Sequence, residues 1–73
     1  MKKLDAYFDY IDPDDGCYTE THNVEEIPDE WTQEQISDYL DKYLNDFQDD
    51  VKERGGNDLE VNFQFYIDGQ VAW

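Results

Sequence analysis

Leu59-Glu-Val-Asn-Phe-Gln-Phe-Tyr-Ile67 runs directly into Asp68-Gly69 and then Gln70-Val-Ala-Trp73. Side chains alternate across an extended chain, so Leu59, Val61, Phe63, Phe65 and Ile67 share one side of it. Glu60, Asn62, Gln64 and Tyr66 take the other. Asp-Gly between two such runs marks a two-residue hairpin, because both turn positions need positive φ. The spacing sets Ile67 opposite Gln70, Tyr66 opposite Val71 and Gln64 opposite Trp73. One face of this hairpin is apolar and needs a cover.

The cover is upstream. Thr32-Gln-Glu-Gln35 has the form of a capping box, and Trp31 just ahead of it suits a hydrophobic staple. Ile36, Leu40, Tyr43, Leu44, Phe47 and Val51 then recur every three or four residues as one apolar stripe. Lys52 and Arg54 suit the negative end of a helix, and Gly55-Gly56 stops it. About 20 residues at ~1.5 Å each make a rod of roughly 30 Å.

Nearer the start, residues 3–11 alternate again. Leu4, Ala6, Phe8 and Tyr10 make one face, with Asp5, Tyr7 and Asp9 on the other. Asp12-Pro-Asp-Asp-Gly16 is a turn, with Pro fixing φ and Gly supplying a positive value. Cys17 to His22 reads as the second strand of a hairpin, and Asn23 to Glu30 as a loop anchored in the core by Ile27-Pro28. The order is ββαββ: an α+β domain over residues 1–73, an antiparallel sheet packed on one amphipathic helix. The pattern does not specify the order of strands in the sheet.

Seventy-three residues leave room for one domain and a modest core. Cys17 is the single cysteine, so no intramolecular disulfide can form, which suits a reducing cytoplasm. After Met1-Lys2-Lys3 the apolar run is broken by Asp5 and Asp9, unlike a signal peptide, and no window is apolar enough to span a bilayer. The expected location is the cytoplasm, that of the host cell if the chain is phage-encoded.

Twenty Asp and Glu stand against five Lys and Arg, a formal net charge of −15. Charge on that scale favours disorder through self-repulsion. Aromatic residues at 16% of the chain, placed periodically, argue instead for a folded domain. The same charge repels nucleic acid and anionic membranes as direct partners. It favours a cation: a metal ion, a basic peptide or a basic protein groove.

Most carboxylates fall on exposed faces or in turns, where nothing pushes their pKa values apart for acid–base catalysis. His22 and Cys17 stand at odd spacing along a strand and point to opposite faces, so they make a poor nucleophile–base pair. Cys17 is expected in the core, where a free cysteine behaves as a small hydrophobe. Asp12-x-Asp14-Asp15-Gly16 has the opening of a calcium loop. However, Gly16, Cys17 and Asn23 occupy positions five, six and twelve of that pattern, where an oxygen ligand, glycine and glutamate are needed. No Cys/His cluster suits zinc, and no metal, cofactor or catalytic residue is expected. Tyr7, Tyr18 and Tyr66 face solvent as base-stacking residues would, but the basic groove that accompanies such rings is missing.

The carboxylates themselves are ordered. Glu34, Asp38, Asp41 and Asp49 lie opposite the apolar stripe, and Asp46, Asp50 and Glu53 form a second row beside it. Neighbours at i+3 and i+4 are about 5–6 Å apart, of the order of phosphate spacing along a nucleic-acid strand. Few have a Lys or Arg at i+4 to relieve the repulsion. Asp5, Asp9, Glu20 and Glu60 add charge to the open sheet face, and Asp14, Asp15, Glu25, Glu26, Asp29 and Glu30 extend it through the loops. A solvated face would keep the protein soluble. A face that steers a basic partner explains why the repulsion is tolerated. Tyr66, Val71 and Trp73 are expected together on the face opposite Phe63 and Phe65, as interface anchors. The alternative folds Trp73 over the sheet edge into the core.

In size, charge and sheet-plus-helix plan the whole chain resembles the small acidic DNA-mimic proteins of phages and mobile elements: anti-CRISPR proteins, anti-restriction proteins and uracil-DNA glycosylase inhibitors. Ile27-Pro-Asp-Glu-Trp-Thr-Gln-Glu-Gln-Ile36 also resembles the loop-to-helix junction of small phage proteins. The resemblance implies tight binding to a nuclease or another nucleic-acid enzyme, such as a Cas effector, with carboxylates standing in for phosphates. It carries over no site residue. The expected function is that of a DNA-mimic inhibitor in the basic groove of a host-defence nuclease, acting as monomer or homodimer. The partner-binding residues are expected to be Glu34, Asp38, Asp41, Asp46, Asp49, Asp50, Tyr66 and Trp73. The competing expectation is an acidic adaptor that binds a basic protein without competing with nucleic acid.

Overall fold

A computed structural model describes residues 1–73, the side chain of Asp58 excepted. Its elements are β1 (Lys2–Ile11), β2 (Tyr18–Ile27), α1 (Gln33–Glu53), a 3-10 turn (Asp58–Glu60), β3 (Asn62–Ile67) and β4 (Gln70–Val71). This is the α+β, ββαββ arrangement expected from the sequence. The strands form one antiparallel sheet in the order β2-β1-β3-β4, so β1 is paired on both edges.

The alternation in β1 decides what lies beneath the helix. Leu4, Ala6, Phe8 and Tyr10 are buried, and α1 lays Ile36, Leu40, Leu44 and Val51 on them with Tyr39, Tyr43 and Phe47 at the flank. Phe8 is the centre of this layer. Its ring stacks on Phe47 at 4.0 Å and on Tyr43 at 5.8 Å, and meets Phe65 edge-on at 5.8 Å. Burying such a ring contributes about 1.5–3 kcal/mol, and aromatic pairing adds about 0.5–1.5 kcal/mol per pair.

Local signals set the ends of the elements. Thr32 and Gln35 form both halves of the capping box: Gln35 N–H donates to Thr32 Oγ1 (3.2 Å) and Thr32 N–H to Gln35 Oε1 (2.8 Å). Trp31 packs its ring on Tyr39 at 5.2 Å. Past the helix, Gly55 takes φ +94°. Gly56 donates its N–H to Val51 O at 2.9 Å, in a space where a β-carbon would lie 2.7 Å from Val51 Cγ1. Asp68 and Gly69 both have positive φ, and Ile67 opposes Gln70 and Tyr66 opposes Val71, as the spacing required. Asp68 also ties the hairpin to β1, since its N–H donates to Lys3 O and its Oδ1 accepts from Lys3 N–H, both at 2.9 Å.

Three expectations are corrected. The second strand does not stop at His22: residues expected in a loop continue it to Ile27, because β1 offers a ladder of ten pairs, Lys2↔Ile27 to Ile11↔Tyr18. Polar residues at a sheet edge carry no alternation of hydropathy to announce this. Leu59, Glu60 and Val61 lie outside β3, which begins at Asn62. Asn57 turns the chain there, its Oδ1 accepting from Leu59 N–H (3.0 Å) and its carbonyl from Glu60 N–H (3.2 Å), which leaves Leu59 88% exposed. Cys17 is exposed in the β1–β2 turn, not in the core, because that turn closes on Asp12, whose N–H donates to Cys17 O at 2.9 Å.

Phe8→Ala should lower the unfolding free energy by about 3–5 kcal/mol in urea denaturation, a large part of the ~5–15 kcal/mol that holds most domains. Leu59→Ala, on a side chain the sequence pattern assigned to the core, should change it by no more than about 0.5 kcal/mol.

Candidate functional site

The carboxylates divide by what they touch. Asp12 Oδ1 accepts from Asp14 N–H (2.8 Å) and Asp15 Oδ1 from Cys17 N–H (2.9 Å), so these acids build the β1–β2 turn. Arg54, at the end of α1, reaches the same turn, with Nη1 3.2 Å from Asp14 Oδ2 and 3.6 Å from Asp12 Oδ1 and Nη2 3.2 Å from Asp50 Oδ2. Its hydrogen bond with Tyr10, and then Asp14, hold its pKa above the ordinary arginine value. The guanidinium therefore joins the helix C-terminus to the turn through acids the sequence reading had placed in a calcium-like motif or a partner-facing row. Among the described residues, no group of three or more His, Cys, Asp and Glu is placed to hold a metal ion.

Glu34, Asp38, Asp41, Asp46 and Asp49 are exposed along α1. Asp41 Oδ2 accepts from Asn45 Nδ2 at 3.4 Å. Asp50 is exposed as well but pairs with Arg54 one turn on, so its charge is partly compensated. Glu34, Asp38, Asp41 and Asp49 follow the back of the helix, away from the sheet, as the wheel requires.

Tyr66 and Trp73, the two rings expected as anchors, lie on opposite faces of the sheet. Tyr66 lies on the open face, the far side of the sheet from α1, half-buried and edge-on to Tyr7 at 5.7 Å. Trp73 does not share that face. Its ring packs on the helix side, 5.7 Å from Phe63 and 5.9 Å from Phe65. Its carbonyl accepts from Gln64 Nε2, and 40% of the residue stays exposed. Ala72 N–H still donates to Phe65 O at 2.9 Å, and beyond it the chain turns its last ring over the edge onto apolar neighbours.

The open face also holds a cluster that the sequence reading treated as loose charge. Asp5 is 8% exposed. His22 Nε2 donates to Asp5 Oδ1 at 2.8 Å, and Lys3 Nζ stands 3.7 Å from the same oxygen. The His22 ring stacks on Tyr7, its cross-strand neighbour, at 4.2 Å and 10°. This Asp–His pair has no nucleophile in Cys17, which lies five residues away along an extended chain, about 17 Å at ~3.3 Å per residue.

A further feature is a groove of about 460 Å³ between β2 and α1. Asn23 and Glu25 line it from the strand. Tyr39, Tyr43 and Phe47 line it from the helix with Lys42 and Asp46. It exists because α1 sits over β1 and β3: the rings of Tyr43 and Phe47 meet Phe8, Tyr10 and Phe65. The helix-side residues of β2 beyond them are Thr19, Thr21, Asn23 and Glu25, with Ile27 at the end of the row. Tyr39 Oη–H donates to Glu25 Oε2 across the gap. Burial first, and then the bond to Glu25, push the Tyr39 hydroxyl up to about 12. Burial and Glu25 raise Tyr43 too. The groove is not legible in the sequence, where Asn23 and Glu25 read as loop residues.

No protein-family model, curated protein sequence or solved structure matches the chain.

A tyrosine whose folded pKa lies above its unfolded value of 10.0 contributes stability that is complete below about pH 10. That stability is lost as the pH rises toward about 12. The melting temperature should therefore fall through that window, and Tyr39→Phe should flatten the fall while lowering the value at neutral pH, where its hydrogen bond is lost.

Proposed function

We propose that this chain is a charge-based inhibitor that mimics DNA and occupies the basic nucleic-acid groove of a host-defence nuclease, in the cytoplasm where that nuclease acts. The observation that carries this reading is the density of charge along an elongated body. The protein measures 40 × 19 × 15 Å and has a formal net charge of −15, one net negative charge per about 2.7 Å of its long axis. Duplex DNA has one per about 1.7 Å and a single strand one per about 3.4 Å, so the chain falls between them. α1 contributes 21 residues, about 31 Å at ~1.5 Å per residue, with Glu34, Asp38, Asp41 and Asp49 exposed along its back. Such a row can take successive Lys and Arg contacts that otherwise bind successive phosphates. No helix of the described chain is long and apolar enough to cross a membrane.

Binding by this row depends on salt, because screening shortens from about 10 Å at 0.1 M to about 3 Å at 1 M. Immobilised chain should retain a nucleic-acid-binding protein from a bacterial lysate at low salt and release it to high salt or to short duplex DNA. The triple reversal Asp38→Lys, Asp41→Lys and Asp49→Lys should retain none. Its melting temperature should hold or rise, since like-charge repulsion along α1 is relieved. A partner that stays bound in saturating DNA would instead make the chain an adaptor. Retention by the triple variant would remove α1 from the interface.

A further inference from the structure

The groove between β2 and α1 brings two features together. One is the outer edge of a ten-residue strand: among the described residues β2 has β1 as its one neighbour in the sheet. Asp12 N–H donates to Cys17 O, and antiparallel bonding alternates from that pair, so Thr19, Thr21, Asn23 and Glu25 bond to β1. The backbone groups of Glu20, His22, Val24 and Glu26 then point outward. The other feature is the chemistry below that edge. The partly buried rings of Tyr39, Tyr43 and Phe47 lie beside the carboxylates of Glu25 and Asp46.

We infer that this groove seats an arginine side chain from an extended segment of the basic partner, with the segment paired on the outer edge of β2. The inference rests on the reading of the chain as a binder of a basic protein and specifies how one segment of that protein docks. A strand added to β2 lies about 4.8 Å away and sends every second side chain to the helix side. A guanidinium there can stack its plane on a tyrosine or phenylalanine ring while its fork reaches a carboxylate, which a lysine ammonium does less well. Charge decides the occupant. A second copy of this chain would bring one β2 edge, with Glu20, Glu25 and Glu26, against another equally acidic edge on bodies of net charge −15, whereas a basic strand meets complementary charge. Lys42 lines the same groove, and its ammonium competes for the carboxylates that the incoming arginine would use.

The probe is an acetylated, amidated Thr-Arg-Thr-Arg-Thr-Arg-Thr peptide, titrated at low salt into the isotope-labelled full chain, with its lysine counterpart as control. Amide signals of Glu20, His22, Val24 and Glu26 and ring signals of Tyr39 and Tyr43 should move together. The arginine peptide should bind at least about fivefold tighter than the lysine peptide. Glu25→Gln with Asp46→Asn, which keeps an acceptor for Tyr39, should weaken binding about tenfold or more, and Lys42→Ala should tighten it. Glu60→Gln, which lies outside both the groove lining and the α1 row, should change binding by no more than about twofold, the share of a distant screened field. Shifts confined to the back of α1, or indifference to the Glu25 and Asp46 changes, would overturn the groove while leaving the charge-based reading in place. Absence of binding by either peptide anywhere on the chain would overturn both. A concentration-dependent doubling of mass with the same β2 shifts in the free protein would assign the edge to a second copy instead.

Discussion

The Phe8 ring at the middle of β1 is the contact on which the rest of the structure depends. It lies where the two parts of the chain meet, stacked on Phe47 from the helix and edge-on to Phe65 from β3. β1 is also paired on both edges, with β2 along ten residue pairs and with β3 on the other side. A chain with twenty acids can hold such a core only if the carboxylates remain outside it or find partners, because an ion removed from water without compensation costs several kcal/mol. Asp5 is the buried acid among the described residues, and it has His22 and Lys3 against it.

The acids are therefore not one undifferentiated cloud. Asp12, Asp15 and Asp68 accept backbone N–H groups and shape the two hairpin turns. Asp12, Asp14 and Asp50 share Arg54 and fasten the end of the helix to the first turn. Glu25 holds Tyr39 across the groove. Glu34, Asp38, Asp41 and Asp49 remain exposed on the back of α1, an element whose opposite face is packed into the core. A rigid row of carboxylates presents its charges without the ordering cost that a flexible acidic tail would meet on binding.

The molecule has three exterior surfaces of different character. The back of α1 is acidic and convex. The open sheet face mixes acids with Tyr7, His22, Val24 and Tyr66, and lies on the far side of the sheet. Between α1 and the β2 edge runs the aromatic-floored groove. A protein that fits a basic cleft by charge alone would need the first of these. In the docking inferred above, the groove adds what charge lacks: a defined pocket, oriented backbone donors and acceptors, and a geometric preference for arginine. Field and pocket act at different ranges, the first on encounter and the second on residence.

Periodicity by itself determined the strands' core faces, the apolar stripe of the helix, its capping box and the Asp-Gly hairpin with its register, because each depends on residues within one turn or one pair. It overreached at Leu59, where apolar alternation continued into a segment that Asn57 folds into a turn. It fell short at Asn23–Glu26, where a polar edge strand is held by the ladder of β1 and not by its own hydropathy. The acidic row on α1 was legible because a helix wheel is local. The sheet order, the burial of Asp5 under His22, the capture of Asp50 by Arg54, the folding of Trp73 onto Phe63 and the groove itself were decided by tertiary structure. Each depends on which distant segments become neighbours, and in an antiparallel sheet that is set by how the helix covers β1 and β3 and leaves β2 overhanging.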